Sequence, residues 1–272
     1  MKKLMLTAAI LAAGVATADI VSSDVVGYQN KSFDYNFNFT AATFVPVGGS
    51  KATMTFGDIG VNENVTYMGT TIQLLADNGA TLYTDEYEDL GEVAMTFTYV
   101  TTDMGAPSNG WYLQDDFAFE HPQNDRVLPF GQGILVDCSD AEAAFVYSGA
   151  VSKEDTEVLL DYNFNFTGNC SPADITFADI AVNENVTYMG TTIQLLTDNG
   201  ATAYTDEYED LGEVALTFTY VTTDMGAASD GWYLQDDFAF EHPQNARGLA
   251  AGAGILVDCS DADASLTFPA AL

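Results

Sequence analysis

Val93 to Val100 reads VAMTFTYV, and an extended backbone sets Val93, Met95, Phe97 and Tyr99 on one face with Ala94, Thr96, Thr98 and Val100 on the other. The same period of two runs through DYNFNF (34–39), TTIQLL (70–75), TLYTDEY (81–87), GWYLQDD (110–116), GILVDC (133–138) and AAFVYSG (143–149). Several of these runs are rich in β-branched or aromatic residues, and turn chemistry such as Asp77-Asn78-Gly79 and Pro107-Ser108-Asn109-Gly110 lies between them. A 3.6-residue period is weak throughout. About eight or nine short strands at this spacing predict an all-β domain, an antiparallel β-sandwich or jelly-roll-like domain.

The pattern occurs twice. Val61 to Asn124 returns as Val182 to Asn245 at an offset of 121, with five differences in 64 positions: Ala76/Thr197, Leu82/Ala203, Met95/Leu216, Pro107/Ala228 and Asn109/Asp230. DYNFNFT at 34–40 returns at 161–167 at an offset of 127, so the second copy lacks six residues in the segment that follows. Such a segment reads as a loop that tolerates deletion. Downstream, GQGILVDCSDA (131–141) matches GAGILVDCSDA (252–262). A unit of about 120 residues is far longer than solenoid repeats, so two tandem β-sandwich domains are expected, over 19–149 and 150–272. Their junction falls in SGAVSKE (148–154).

Residues 1–18 have the form of an export signal: Lys2 and Lys3, an apolar run from Leu4 to Val15, then Ala16-Thr17-Ala18. The apolar run is too short for a transmembrane helix and no second run of about 20 residues follows, so the chain is not expected to span a membrane. Export implies a secreted, extracellular or cell-surface location, with the periplasm as the other compartment such a signal serves. Without 1–18, Lys31, Lys51, Arg126, Lys153 and Arg247 face all 40 acidic residues. That charge excludes nucleic acid and anionic lipid as partners. Disorder is excluded too, because 47% of the chain is apolar or aromatic and lies in periodic runs.

The order DYNFNFTGNCSPADITFADI, then TTIQLL, GWY and GILVDC, resembles a group of uncharacterised tandem-repeat β proteins exported by bacteria. The resemblance covers nearly all of both copies. Its motifs are structural, and it implies no activity.

Candidate chemistry is sparse. Each copy has one histidine, His121 or His242, in the context EHPQN, which reads as a solvated turn before proline; no GxSxG nucleophile motif or zinc ligand set accompanies it. The run TDEYEDLGE (84–92) and its copy (205–213) hold the densest carboxylates: Asp85, Glu86, Glu88 and Asp89, and Asp206, Glu207, Glu209 and Asp210. Hard oxygen donors at this density suit Ca²⁺, although the spacing is not that of an EF-hand; a solvated strand end is the other reading. Trp111-Tyr112 and Trp232-Tyr233 are candidate stacking platforms for sugar rings, against a core position for the tryptophan. Cys138 and Cys259 share a strand face with apolar neighbours, which favours buried thiols; a Cys170–Cys259 bridge is the alternative.

Together these features predict a non-catalytic secreted or cell-surface protein, structural or adhesive, that binds its own kind or other surface proteins. The alternative is a glycan-binding module, with Ca²⁺ as its cofactor. Strand-to-strand association is expected at the ends of the chain, over 25–31 and 265–268.

Overall fold

Alternating sequence is expressed as strand in both copies. The computed structural model describes residues 26–33, 36–45, 54–62, 70–76, 92–114, 116–138, 143–160, 163–183, 191–197, 213–259 and 264–271. The export signal (1–18), the strand expected over 81–87 and the acidic runs up to 91 and 212 lie outside them.

The first copy comprises β1 (Val26–Ser32), β2 (Asn36–Ala41), β3 (Ile59–Val61), β4 (Thr70–Ala76), β5 (Glu92–Val100), β6 (Gly110–Leu113), β7 (Gly133–Cys138) and β8 (Ala144–Ala150). The second comprises β9 (Thr156–Leu159), β10 (Asn163–Gly168), β11 (Ile175–Thr176), β12 (Ala181–Val182), β13 (Thr191–Thr197), β14 (Glu213–Val221), β15 (Gly231–Leu234), β16 (Gly248–Leu249), β17 (Gly254–Cys259) and β18 (Ser265–Phe268). Each copy has one five-stranded sheet, β2-β7-β4-β5-β6 or β10-β17-β13-β14-β15, and one three-stranded sheet, β1-β8-β3 or β12-β18-β9. The small β11-β16 pair corresponds to the single Thr55–Val127 bridge of the first copy. The pairings are antiparallel and the only helix among the described residues is short 3-10 turns.

The all-β antiparallel class is therefore as predicted, but the tandem jelly rolls are not. The four larger sheets, two from each copy, make a propeller-like arrangement of four blades. A jelly roll distributes eight strands between two sheets in Greek keys. Here β4, β5 and β6 pair antiparallel in chain order as a meander, so these three consecutive strands stay in one sheet. The strand expected to be an edge at 265–268 is also different: β18 lies between β12 and β9, whereas β1 is at the edge of its sheet. Among the described residues no helix is long and apolar enough to cross a membrane.

The core lies where the two sheets of a copy face each other. Trp111 of β6 contacts Phe145 of β8 at 5.6 Å and Tyr99 of β5 at 5.4 Å. Phe56, from the 3-10 turn Phe56–Asp58, adds an edge-on contact with Phe97 at 4.8 Å. Phe177 and Phe218 repeat it at 4.9 Å. Arg126 spreads its guanidinium over the Phe97 ring at 5.1 Å, and Arg247 does the same to Phe218, so two of the few cations close the cores as planar lids. Alternation along β5 is broken once: Leu74 pairs with Met95 and Leu75 with Val93, so Ala94 is the extra residue of a bulge. Met95, next to the bulge, is 37% exposed while Phe97 is fully buried.

The two copies meet through contacts that repeat with their roles exchanged. Phe39 and Phe166 stack at 6.5 Å with their rings 11° apart. Thr40 Oγ1 donates to the Gly252 carbonyl (2.8 Å), and Thr167 Oγ1 donates to the Gly131 carbonyl (2.6 Å). A Cβ on Gly133 would stand 2.8 Å from the Thr167 nitrogen, and one on Gly254 2.8 Å from the Thr40 nitrogen, so both positions require glycine for the backbones to approach. Phe39 meets its own repeat and each other contact named is matched by the contact between the repeats of its two residues, which defines a local pseudo-two-fold axis between the Phe39 and Phe166 rings.

Replacing Trp111 with alanine is expected to cost about 3–5 kcal/mol in urea unfolding, the usual loss for a fully buried tryptophan. W111F should cost clearly less, since it keeps an aromatic ring against Phe145 and removes an indole N–H that has no protein partner.

Candidate functional site

Strand β6 stops at Leu113, short of the expected end at 116, because the chain turns twice in succession. Asp116 N–H donates to the Leu113 carbonyl and Phe119 N–H to the Asp116 carbonyl, each at 3.0 Å. The second of these is a tight turn whose corners are Phe117 and Ala118, with aspartate at the first position, where its carboxylate can bond backbone further on. Asp116 Oδ2 accepts the His121 N–H at 3.0 Å. The equivalent loop is built alike, with Asp237 N–H to Leu234 and Phe240 N–H to Asp237 at 3.0 Å, and Asp237 Oδ2 to the His242 N–H at 3.1 Å.

Electrostatics follow from these bonds. Partial burial acts to raise the Asp116 carboxyl, but N–H donation from the backbone of His121 and Glu120, the charge of His121 and a further N–H from Ala118 outweigh it. The net effect holds Asp116 below the usual carboxylate range. The imidazole Nδ1 of His121 stands 3.6 Å from Asp116 Oδ2, too far for a hydrogen bond, and its side chain is 78% exposed. The histidine thus serves the turn through its backbone while its ring projects into solvent.

Phe119 and Phe240 lie in the left-handed region, at φ 51° and 48°. A bulky side chain there costs about 1–2 kcal/mol. The ring contacts offset it: Phe119 packs edge-on against Tyr112 at 5.7 Å and Phe240 against Tyr233 at 5.7 Å. Those tyrosines are themselves fixed, Tyr112 OH donating to the Ser108 carbonyl at 2.9 Å and Tyr233 OH to that of Ser229 at 2.8 Å. The loop then returns to the strand: Gln123 N–H donates to the Trp111 carbonyl (2.7 Å), and Trp111 N–H to Asn124 Oδ1 (2.9 Å).

One large apolar side chain of each loop is left outside this framework. Phe117 is 82% exposed and Phe238 is 85% exposed, each at the corner of a turn held on both sides. Neither was singled out by the sequence pattern, because both lie beyond the run GWYLQDD (110–116) and its copy. The available signal is Asp116 as a turn initiator directly after a strand.

The residues predicted as a site are distributed differently. Trp111 and Trp232 are 1% exposed and belong to the cores, while Tyr112 and Tyr233 are fully buried on the opposite sheet face, under the loop. None of the four presents a ring to solvent; their placement serves packing. Asp85, Glu86, Glu88, Asp89, Asp206, Glu207, Glu209 and Asp210 fall outside the described residues. Among those described, no group of three or more potential metal ligands is assembled. Cys138, Cys170 and Cys259 are buried and no disulfide joins them, so the Cys170–Cys259 bridge is not formed. The Cys170 thiol donates to the Gly168 carbonyl at 3.2 Å.

The lowered Asp116 carboxyl has a definite pH signature. A carboxyl more acidic in the folded loop than in the unfolded chain stabilises the loop above the ordinary carboxylate range, and that stabilisation is lost as pH falls through the lowered value. Acidification is therefore expected to remove hydrogen-exchange protection from the His121 amide before Trp111 fluorescence reports unfolding of the core. D116N should show reduced His121 protection already at neutral pH, with no further acid step. Comparison with protein-family models, with curated proteins and with solved structures gives no match to this chain.

Proposed function

We propose that the chain is a non-catalytic, exported component of a cell surface or extracellular matrix, and that its duplicated units, over 19–149 and 150–272, attach it to a neighbouring surface protein. The observation that carries this reading is the pair of exposed rings, Phe117 and Phe238, presented at equivalent corners by loops that hold a strained phenylalanine behind them. Strain kept twice at equivalent positions points to a loop whose shape matters. A phenylalanine on an otherwise acidic surface fits an apolar pocket of a partner, and two of them on one rigid chain give bivalent attachment, which multiplies weak contacts. The long-range charge favours a partner with a basic rim around that pocket.

Glycan recognition is the second reading, favoured by the same feature, since an exposed ring beside a carboxylate can stack on a sugar face while the acid accepts from hydroxyl groups.

F117A/F238A in the mature chain tests both. Wild type is expected to stay with the surface fraction of the producing cells, and the double variant to pass into the medium. Its urea stability should be unchanged within about 0.5 kcal/mol, because solvent-exposed rings contribute little to folding. Equal retention of the two proteins rejects the aromatic pair as the attachment site. A glycan array, with and without Ca²⁺, on which wild type binds and F117A/F238A does not, moves the assignment to glycan recognition.

A further inference from the structure

The joint between the copies is an interface of a particular kind. In a two-fold contact, residue i of one body touches residue j of the other, and j of the first touches i of the second. Thr40 reaches the carbonyl of Gly252, and its repeat Thr167 reaches that of Gly131, the repeat of Gly252. Gly133 is overlain by Phe166-Thr167, and Gly254 by Phe39-Thr40. Phe39 and Phe166 stack on the axis itself. Around the axis each copy thus bears a patch that is complementary to the same patch of the other.

Nothing in such a face depends on the two copies belonging to one chain. They are joined by 151–155, between the end of β8 at Ala150 and the start of β9 at Thr156, a stretch in which Lys153, Glu154 and Asp155 are exposed. At the rim the match is directional. Gln29 Nε2 of the first copy donates to the Ala251 carbonyl of the second (3.3 Å), and Gln132 Nε2 to that of Phe166 (3.4 Å). Lys31, a partly buried ammonium whose burial lowers its pKa, is partly compensated by Asp174 of the second copy. Position 156, the repeat of Gln29, is threonine, and position 158, the repeat of Lys31, is valine.

We propose that this face is also an intermolecular one, and that its partner is a second copy of this chain: the first copy of one molecule seats on the second copy of the next, through the contacts now made within the chain. The inference rests on the structural reading above but not on the Phe117 and Phe238 loops. Opening at 151–155 exchanges one set of contacts for an identical set, so the free-energy difference between closed monomer and swapped assembly is governed by chain concentration. Two chains that exchange reciprocally close as a dimer, and exchange passed from chain to chain without closure gives linear oligomers. The high negative charge opposes it at low ionic strength and salt screening promotes it.

The test uses two full-length mature variants with different tags, F39C and F166C, unfolded and refolded together in raised salt at about 1 μM and at about 100 μM chain. Non-reducing gels read the cross-links, with wild type alongside to report any made by Cys138, Cys170 or Cys259. A cross-link between the two tags, at least tenfold more abundant at the higher concentration, is the expected result. Cross-links only between like tags, or none, overturn the proposal. Should either variant fail to fold, light scattering on wild type refolded under the same conditions decides: dimers and higher oligomers that persist on dilution support the exchange, and monomer throughout rejects it. Adding F117A/F238A to both variants should leave the cross-link unchanged, which separates failure of the joint from failure of the surface-attachment site.

Discussion

Trp111 touches both sheets of its copy at once. From the edge strand β6 its indole meets Tyr99 on the neighbouring strand, Phe56 in the 3-10 turn and Phe145 across the core, and its backbone N–H and carbonyl are taken by Asn124 and Gln123. The facing of the sheets, the seat of the 3-10 turn and the return path of the loop are thereby tied to one side chain. Trp232 occupies the same position in the second copy, with Phe177 at 6.0 Å and Tyr220 at 5.3 Å. The exposed corner at Phe117 exists because the chain leaves β6 and must come back to the same tryptophan.

Much of this was legible in the pattern of residues, and the parts that were not share a cause. Period-two alternation located β2, β4, β5, β7 and β8 to within a few residues, because one buried face writes itself directly into sequence. It gave no sign that the outer sheet face is also covered near Phe119, where Thr98, Val100 and Tyr112, the last expected as a stacking platform, are buried by a loop that the strand's own alternation does not register. The jelly-roll expectation failed for a related reason. Alternation reports that a strand has an inner face but not which sheet it joins, and that choice was made by the β4-β5-β6 meander and by the short β3, too brief to show a period. Phe117 was hidden because an exposed ring and a buried one look alike in a string of letters; only the hydrogen bonds from Asp116 turn it outward.

The joint shows the same limit from another direction. The offset of 127 at DYNFNFT and of 121 at GILVDC was visible as duplication, yet nothing in it required the two segments to cross. The crossing depends on Gly133 and Gly254, whose lack of a Cβ lets the backbone of one copy lie against the other. Near-identity of the copies then becomes a geometric requirement at the axis, where Phe39 meets its own repeat and the Thr40 and Thr167 contacts exchange roles.

Away from the axis that requirement lapses, and the copies have departed from one another at Lys31 and Val158 and in the segment that carries Asp174. A lysine compensated by Asp174 of the opposite copy gives the pairing a sense, like a plug that enters its socket one way round. Any array built by repeating that contact has two chemically distinct ends, one displaying an ammonium and the other a carboxylate, so that each end can be stopped by a different agent and lengthening at one need not imply lengthening at the other.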